Sequence, residues 1–360
     1  MNGPNQLLVV GTGRCGSTLL SGMLRAHPEV LSVSELFAFV TDLGNVIPRA
    51  FPRLPIDGEA FWRILATPYP RQNLLLRHGL RMDEVIYPFG QGRFRGGELP
   101  AIQMATLPHL SDDPDALFDA LASAMRSRPT APIGAHFQAL FAWLAEHAPR
   151  RRPARAWAER SGGSLRIVGR LLEVFPDARV LHIVRDGRDT AISMSRHIGF
   201  RMALVGFQLL EFLGLDPFED EDRSEVDDLP DELVRLLPEN FDAEGFWGYD
   251  IAPSLCGHYW SGEIKRGLEV LDGLPAGRVA TIRYESILED PRAAVERLGE
   301  LLAPAEADPE WALRAAAMVG RGRSSWRALP AADRRELEDA CAPGFAALAA
   351  RGITWSDAPA

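Results

Sequence analysis

The sequence predicts an α/β fold built on a largely parallel sheet, and three stretches carry that prediction. Residues 6–10, Arg179–Val184 and 278–282 are short apolar runs with the length of buried strands, and each is followed by a turn and a helical pattern. Strands that alternate with helices in this way become parallel neighbours in one sheet. We therefore expect a central parallel sheet with helices packed against it and a ligand site at the carboxyl ends of its strands.

The other elements follow from apolar spacing and helix-end signals. The first strand is followed by a helix that ends before Pro28 and then by a short strand at 30–33. Further helices are expected at 116–125, Ile133–His147, 164–174, from Asp189 onward and at Pro291–Leu302, the last with proline in its first turn. Residues 40–110 are rich in proline and glycine, so loops and short helices are expected there, and 150–155 is expected to be a basic connection.

No internal repeat or strong linker divides the chain. We therefore expect residues 1–360 to form one domain, with insertions at about 40–150 and 200–255. The composition, 46% hydrophobic and 24% charged, excludes general disorder. The longest apolar stretch, residues 202–215, is interrupted by Gln208 and Glu211 and is too short to span a bilayer.

Charge and cysteine usage narrow the class of protein further. Residues 216–232 hold ten acidic residues and one arginine, so the remainder of the chain is nearly neutral despite a net charge of −10, and nucleic-acid binding finds no support. The acidic stretch 216–250 is typical of a mobile insertion or lid. No positive charge precedes the first apolar run at Leu7, and three distant cysteines suit neither a disulfide framework nor a zinc site. A cytoplasmic enzyme is the expectation.

A glycine-rich turn joins the first strand to the first helix. Three glycines within residues 11–16 let the backbone approach a phosphate, and the helix N-terminus beyond them directs N–H donors at it. Their spacing also matches a dinucleotide fingerprint, with Glu35 at about the position of a ribose contact. Residues 11–18 equally have the length of a P-loop, but Ser17 stands where an ATPase or kinase needs its lysine.

The segment GRCGSTLLSGMLRAHPEV at 13–30 closely resembles the 5′-phosphosulfate loop and following helix of sulfotransferases that use 3′-phosphoadenosine 5′-phosphosulfate (PAPS). The closest likeness is to the tyrosylprotein-sulfotransferase-like and bacterial branch. The resemblance implies a three-layer P-loop-like fold, PAPS as the sulfuryl donor and no metal requirement. It assigns the nucleotide-binding loop to Arg14, Cys15, Gly16, Ser17 and Thr18.

A second motif, VRDGRDTAIS at 184–193, resembles the 3′-phosphate motif of the same family. Arg185 and Ser193 have the spacing of its arginine and serine, and they would offer a planar guanidinium and a hydroxyl to phosphate oxygens. Neither a dinucleotide-binding dehydrogenase nor an ordinary kinase predicts this pair. Arg188 and Arg196 are more typical of ordinary ion-pair or surface arginines.

Two later segments agree with the resemblance. YESILEDP at 284–291 is similar to a family segment whose tyrosine lies near the adenosine, which assigns Tyr284 to the nucleotide, although a core aromatic is the alternative. Residues 319–327 resemble, more loosely, a late loop that closes over the nucleotide and would bring Arg323 and Trp326 to it. A solvated basic loop is the alternative there.

The resemblance also implies catalytic roles. Glu35 lies 21 residues after Arg14, where the tyrosylprotein-like branch carries its catalytic glutamate, and is expected to be the general base. His136 is the alternative base, since the cytosolic branch uses a histidine. Arg160 replaces a lysine that approaches the sulfuryl group in relatives, and Arg14 would stabilise the departing nucleotide.

The predicted function is transfer of a sulfuryl group from PAPS to a hydroxyl of a small molecule, carbohydrate or lipid. A P-loop nucleotide kinase and a catalytically inactive nucleotide-binding protein are the alternatives. Residues 40–150 and 200–270 carry no motif and should shape the acceptor pocket, so the acceptor cannot be identified from the sequence. The sequence does not indicate the oligomeric state either.

Overall fold

Five parallel strands form the centre of the molecule in a computed structural model that describes residues 5–41, 46–149, 152–219, 229–302, 308–320, 322 and 325–356. The strands are β1 Asn5–Val10, β2 Val30–Ser34, β3 Ala156–Arg160, β4 Arg179–Val184 and β5 Val279–Arg283. They lie side by side in the order β2-β3-β1-β4-β5, and every neighbouring pair is parallel. The predicted α/β class with a central parallel sheet is confirmed.

Helices connect and cover the strands. The α-helices are α1 Ser17–Arg25, α2 Val46–Ala50, α3 Gly58–Ala66, α4 Pro70–Arg77, α5 Ala101–Met104, α6 Thr106–Leu110, α7 Pro114–Arg126, α8 Ile133–His147, α9 Val168–Val174, α10 Gly187–Ser195, α11 Ile198–Leu213, α12 Asp231–Val234, α13 Ala243–Gly248, α14 Pro253–Asp272, α15 Tyr284–Glu289, α16 Pro291–Leu302, α17 Pro309–Ala316 and α18 Ala331–Ala349. Short 3₁₀ helices span Ala38–Thr41, Ser164–Ile167 and Trp326–Ala328. No helix of the described residues has the length and apolarity needed to cross a bilayer.

The sheet divides the core into two clusters. Along β1, Leu8 and Val10 belong to one cluster and Leu7 and Val9 to the other, as the two-residue period of a strand requires. All four side chains are almost completely buried, because helices cover both faces of the sheet. This arrangement is the three-layer architecture expected from the sequence.

The strand register aligns the carboxyl ends of the strands. Val9 of β1 and Ser34 of β2 both pair with Arg160 of β3, while Val184 of β4 pairs with Arg283 of β5. The residues that follow the strands therefore lie along a single edge of the sheet. This edge is where doubly wound α/β proteins place their ligands.

Most predicted elements are present, and the differences have local causes. Ile133–His147, Arg179–Val184 and Pro291–Leu302 have the predicted bounds, and the predicted helix at 164–174 begins with a 3₁₀ turn. Residues 40–110 contain short helices, as expected, in their described part. The strand β3 was not predicted, because its sequence, AWAER, ends in two charged residues. The acidic stretch holds α12 and α13, and residues 220–228 within it lie outside the described ranges.

Candidate active site

A cavity of about 310 Å³ opens at the carboxyl edge of the sheet. It collects residues from widely separated parts of the chain that the sequence assigns to one site. Those that line it are Arg14, Gly16, Ser17, Thr18, Glu35, Arg160, Arg185, Ser193 and Tyr284. Its remaining lining comes largely from the region that carries no sequence motif.

The loop between β1 and α1 is held in a left-handed backbone conformation at three positions. The φ angles are 81° at Gly13, 54° at Arg14 and 92° at Gly16. A Cβ atom on Gly16 would lie 2.2 Å from Cδ2 of Tyr284, so this position has room only for glycine. Loops with such backbone angles form concave anion-binding sites in many proteins.

The guanidinium of Arg14 turns away from its own loop toward the helix α10. Its Nε donates to Oγ of Ser193 at 3.2 Å, and its Nη1 pairs with Oε1 of Glu84 at 2.8 Å. The Nη1 of Arg185 donates to the carbonyl oxygen of Arg14 at 3.4 Å. The groups that the sequence assigns to the 5′ and 3′ ends of the nucleotide are therefore connected to each other through Arg14.

The ends of β4 and β5 are linked by hydrogen bonding and stacking. The guanidinium carbon of Arg185 lies 5.2 Å from the ring centroid of Tyr284. The N–H of Asp186 donates to Oε1 of Glu285 at 2.9 Å. Asp186 also caps α10, the helix that carries Ser193. These contacts fix the two predicted nucleotide contacts, Arg185 and Tyr284, relative to each other.

Glu35 and Arg160 form a buried ion pair at the ends of β2 and β3. Nη1 of Arg160 contacts Oε1 of Glu35, and the N–H of Gly162 donates to Oε2 of Glu35 at 2.9 Å. Glu35 has a φ of 55°, a left-handed conformation uncommon for residues other than glycine. Nη2 of Arg160 also donates to Oγ of Ser34 at 2.9 Å. Both predicted catalytic groups are thus held rigidly against the cavity.

A second carboxyl group, Glu159, lies directly behind this pair. Oγ of Ser161 donates to Glu159 and accepts a hydrogen bond from the N–H of Phe37 at 2.9 Å. Burial raises the pKa of Glu159 to about 8, and the hydrogen bond from Ser161 opposes that shift only in part. Glu159 was not predicted as a site residue, because the strand that carries it was not predicted.

Glu84 and His197 line the cavity beside Arg14, although neither was predicted as a site residue. Nε2 of His197 lies 2.9 Å from Oε2 of Glu84. Burial acts to raise the pKa of Glu84, but the hydrogen bond from His197 and the charges of His197 and Arg14 outweigh it and lower the pKa to about 2. Glu84 therefore stays ionised and neutralises part of the positive charge. It belongs to no motif, so the sequence offered no signal for it.

Two other predicted site residues, Cys15 and Trp326, do not line the cavity. The Cys15 side chain is completely buried beneath the loop, and burial raises the pKa of its thiol. Trp326 is buried under the guanidinium of Arg188, 3.9 Å from its ring centroid, while Arg188 pairs with Asp186. Arg323 lies outside the described residues. Arg188 has the ion-pair role that its sequence position suggested.

The alternative base, His136, is fully buried in the helical insertion. Nε of Arg128 donates to its Nδ1 at 3.2 Å, and its Nε2 lies 2.8 Å from the carbonyl oxygen of Ile56. Both ring nitrogens are therefore engaged away from the cavity, and the ring stacks on Phe61. In the part of the chain that the structure describes, no group of three His, Cys, Asp or Glu residues is arranged to hold a metal ion.

Residues 103–243 match the profile of the sulfotransferase family. No curated protein sequence matches the chain. Solved structures similar to it include a sulfotransferase from Mycobacterium avium (17% identity, 100% of this chain and 79% of that chain covered, TM-score 0.48). Others are a sulfotransferase from Alicyclobacillus acidocaldarius (16% identity, 99% and 98% covered, TM-score 0.41) and the sulfotransferase domain of the curacin biosynthetic pathway (16% identity, 86% and 77% covered, TM-score 0.44). The family match includes Arg160 and the Arg185–Ser193 motif, so residues 103–243 are similar to sulfotransferases, and this similarity supports sulfuryl transfer as the activity.

Proposed function

We propose that the chain transfers a sulfuryl group from PAPS to an acceptor hydroxyl, with the nucleotide over β1, β4 and β5 and the acceptor over β2 and β3. The strand order is the observation that carries this proposal. Along the edge β2-β3-β1-β4-β5 the chain presents, in turn, Glu35, Arg160, the 11–16 loop, Arg185 and Tyr284. A donor and an acceptor held side by side along this edge would meet at Arg160 and the loop.

The residues on the nucleotide side suit an adenylate with two separate anionic ends. Arg14 and Ser17 would serve the 5′ end, Arg185 and Ser193 the 3′-phosphate, and Tyr284 the adenosine. When bound, PAPS supplies an activated sulfuryl group and a phosphate leaving group. The arginines supply positive charge where negative charge develops, so the proposed reaction needs no metal.

On the acceptor side, Glu35 would take the proton of the attacking hydroxyl. Its buried carboxylate is oriented by the N–H of Gly162 and by Arg160, so it is held in place before the acceptor binds. Arg160 would in turn neutralise the sulfuryl oxygens beside the loop. Because these two side chains are ion-paired, we propose that they act as one unit.

We also propose that the enzyme works in the cytoplasm without a nucleic-acid partner. The support comes from its three cysteines, Cys15, Cys256 and Cys341, which are buried free thiols. The acidic net charge of −10 likewise gives no support to a nucleic-acid partner.

Calorimetric binding of 3′-phosphoadenosine 5′-phosphate tests the nucleotide site. Substitution of Arg185→Ala should weaken binding by roughly 1.5–3 kcal/mol, the usual scale for a charged hydrogen bond. Arg196→Ala is the matched control, because Arg196 is exposed and lies one residue beyond the end of α10, the helix that begins two residues after Arg185. Equal affinity of the Arg185→Ala variant and the wild type would remove Arg185 from the site. Strong binding of Mg²⁺-ATP in its place would favour a kinase.

A further inference from the structure

Part of the cavity that contains Glu35 is lined by apolar side chains. We call this surface the apolar wall; it consists of Leu19, Ala38, Met82, Val85, Met104, Ala105 and Phe200. Val85, Met104 and Phe200 have exposed fractions of 1%, 4% and 7%, so they hold fixed positions in the core. Most of the wall comes from the part of the chain without a motif.

Hydrogen bonds fasten the apolar wall to the acceptor side of the sheet. Oγ1 of Thr106 donates to the carbonyl oxygen of Ser34, the residue before Glu35, at 2.9 Å. The N–H of Ile86 donates to the carbonyl oxygen of Met104 at 2.9 Å. This bond joins the wall residues at 82 and 85 to those at 104 and 105. These bonds connect the wall residues at 104–105 and near 85 to the end of β2. Phe200 instead packs against the glycine-rich loop, where a Cβ on Gly13 would lie 2.7 Å from its ring.

Several buried polar atoms near the cavity have no hydrogen-bond partner among the described residues, and one of them belongs to Gln72. Oε1 of Gln72 is buried and accepts no hydrogen bond from the described residues, although Gln72 lines the cavity. Gln72 also lines a smaller adjoining cavity of about 30 Å³, together with Ala38 and Gly199. A buried carbonyl oxygen without a donor costs free energy, so this oxygen is suited to a donor on a ligand. Glu84 and His197, by contrast, bind each other.

We infer that the acceptor is an uncharged alcohol or phenol with an apolar body, and that Gln72 accepts a hydrogen bond from a second O–H or N–H group where the acceptor has one. This inference rests on the proposed sulfuryl transfer. The apolar wall would leave the ring hydroxyls of a carbohydrate unpaired, and each unpaired hydroxyl costs affinity. A charged acceptor would lose its hydration against the same wall.

An acceptor panel with PAPS and mass-spectrometric detection of sulfated product tests the acceptor class. We expect kcat/KM for 2-naphthol and 1-hexanol to exceed that for glucose and for a tyrosine-containing acidic peptide by about 100-fold or more, since an apolar site rejects groups that it cannot hydrogen-bond. Preference for glucose or for the peptide would overturn the inference.

Substitutions that make a wall side chain polar but nearly keep its shape test the apolar wall itself. Met82→Gln and Val85→Thr should each lower kcat/KM for 2-naphthol about ten-fold, because a polar group is then buried against the acceptor. Met318→Gln and Val270→Thr make the same exchanges at positions that are 43% and 37% exposed, and should change nothing. Val85→Thr keeps the side-chain shape and serves if Met82→Gln does not fold. Unchanged turnover in the two wall variants would overturn the inference.

The role of Gln72 has its own readout. In the Gln72→Leu variant, kcat/KM for 2,7-dihydroxynaphthalene should fall about ten-fold relative to that for 2-naphthol, since only the diol carries a second donor. An unchanged ratio would overturn this part of the inference.

Nucleotide affinity distinguishes failure of the acceptor inference from failure of the proposed sulfuryl transfer. If 3′-phosphoadenosine 5′-phosphate binds and carbohydrates are sulfated, the acceptor inference alone fails. If the nucleotide does not bind and no acceptor is turned over, the proposed function fails and takes the inference with it.

Discussion

Glu35 combines a left-handed backbone with a buried ion pair. Both features cost free energy unless the surroundings stabilise them, and residues held in this way concentrate at functional sites. The backbone N–H of Glu35 donates to the carbonyl oxygen of Arg160 at 2.8 Å, and the side chains of the same two residues also pair. Arg160 therefore holds both the left-handed backbone and the side chain of Glu35 in place.

Replacing Glu35 by glutamine tests its role as general base. The Glu35→Gln variant should lose about 10²–10⁴ in turnover while its affinity for 3′-phosphoadenosine 5′-phosphate changes little, because general-base catalysis contributes on that scale. Single-turnover assays with labelled PAPS measure the first quantity and calorimetry the second.

His136→Gln is the control for that experiment. Both ring nitrogens of His136 are engaged within the helical insertion, so this variant should lose stability rather than turnover per folded molecule. Wild-type turnover in Glu35→Gln would transfer the base to another residue of the cavity.

At the level of elements, β3 inserts charged residues into the middle of the sheet. It lies between β2 and β1 and ends in Glu159 and Arg160, both buried. Arg160 is neutralised by Glu35, whereas Glu159 accepts a hydrogen bond from the hydroxyl of Ser161 and has a pKa raised to about 8, chiefly by burial. A protonated Glu159 avoids placing a further negative charge beside Glu35.

This protonation predicts that stability depends on pH. Between the ordinary pKa of 4.5 and the folded value of about 8, the folded chain keeps a proton on Glu159 that the unfolded chain has lost. The free energy of unfolding should therefore decrease as pH rises through this window, with a contribution of at most about 1.4 kcal/mol per pH unit. Urea titrations at several pH values should show a flatter dependence for Glu159→Gln and no change for the exposed control Glu173→Gln. Parallel dependences in wild type and Glu159→Gln would contradict the assignment.

The loop from β1 to α1 makes a prediction about Gly16. Gly16 has a left-handed φ of 92°, and a Cβ atom there would also collide with Tyr284. Gly79 has a left-handed φ of 73°, but a Cβ atom there would have no other atom within 4 Å. Gly79→Ala should cost about 1 kcal/mol of unfolding free energy. Gly16→Ala should cost more and should also abolish nucleotide binding, and Tyr284→Ala in the same chain should relieve part of the loss of stability. Equal costs at the two glycines would show that the ring of Tyr284 does not limit the loop.

At the scale of the whole molecule, the nucleotide side depends on helices far from the motifs. Trp260 of α14 is fully buried, and its ring lies so close to Gly187 of α10 and Gly344 of α18 that a Cβ there would approach it to 2.5 Å and 2.4 Å. Trp260 thereby fixes α10, which carries Ser193, against the C-terminal helix. The site is supported by packing that spans the chain.

Trp260→Ala should therefore destabilise the protein by about 3–5 kcal/mol, the usual cost of removing a large buried side chain. Thermal unfolding measures this cost, and Trp247→Ala, at a position 46% exposed, is the control. A change in Tm no larger than that of the control would mean that the three helices do not depend on the indole.

The parts of the site that could be predicted lie in contiguous segments. The 11–18 loop, the Arg185–Ser193 pair and Tyr284 each sit in a strand-turn-helix stretch, where local sequence sets the backbone and the functional group together. Glu84 and His197 could not be predicted, because their partners lie far away in sequence, and Glu159 could not be predicted because its strand β3 lacks an apolar run. Glu84, for example, meets Arg14 across 70 positions. The nucleotide-binding roles of the 11–18 loop, of Arg185 and Ser193 and of Tyr284 stay predictions.

The sequence alone determined the α/β class, most of the strand and helix positions and two arginine-containing turns, because periodicity, glycine and capping act over a few residues. The tertiary structure decided which residues those two turns bring together in one site. It set the strand order, joined Arg14 to Ser193 and Arg160 to Glu35, enclosed His136 in a helical insertion and placed an apolar wall beside the carboxylate. These are long-range contacts, and their energies depend on burial and complementary charge, which exist only after the chain has folded.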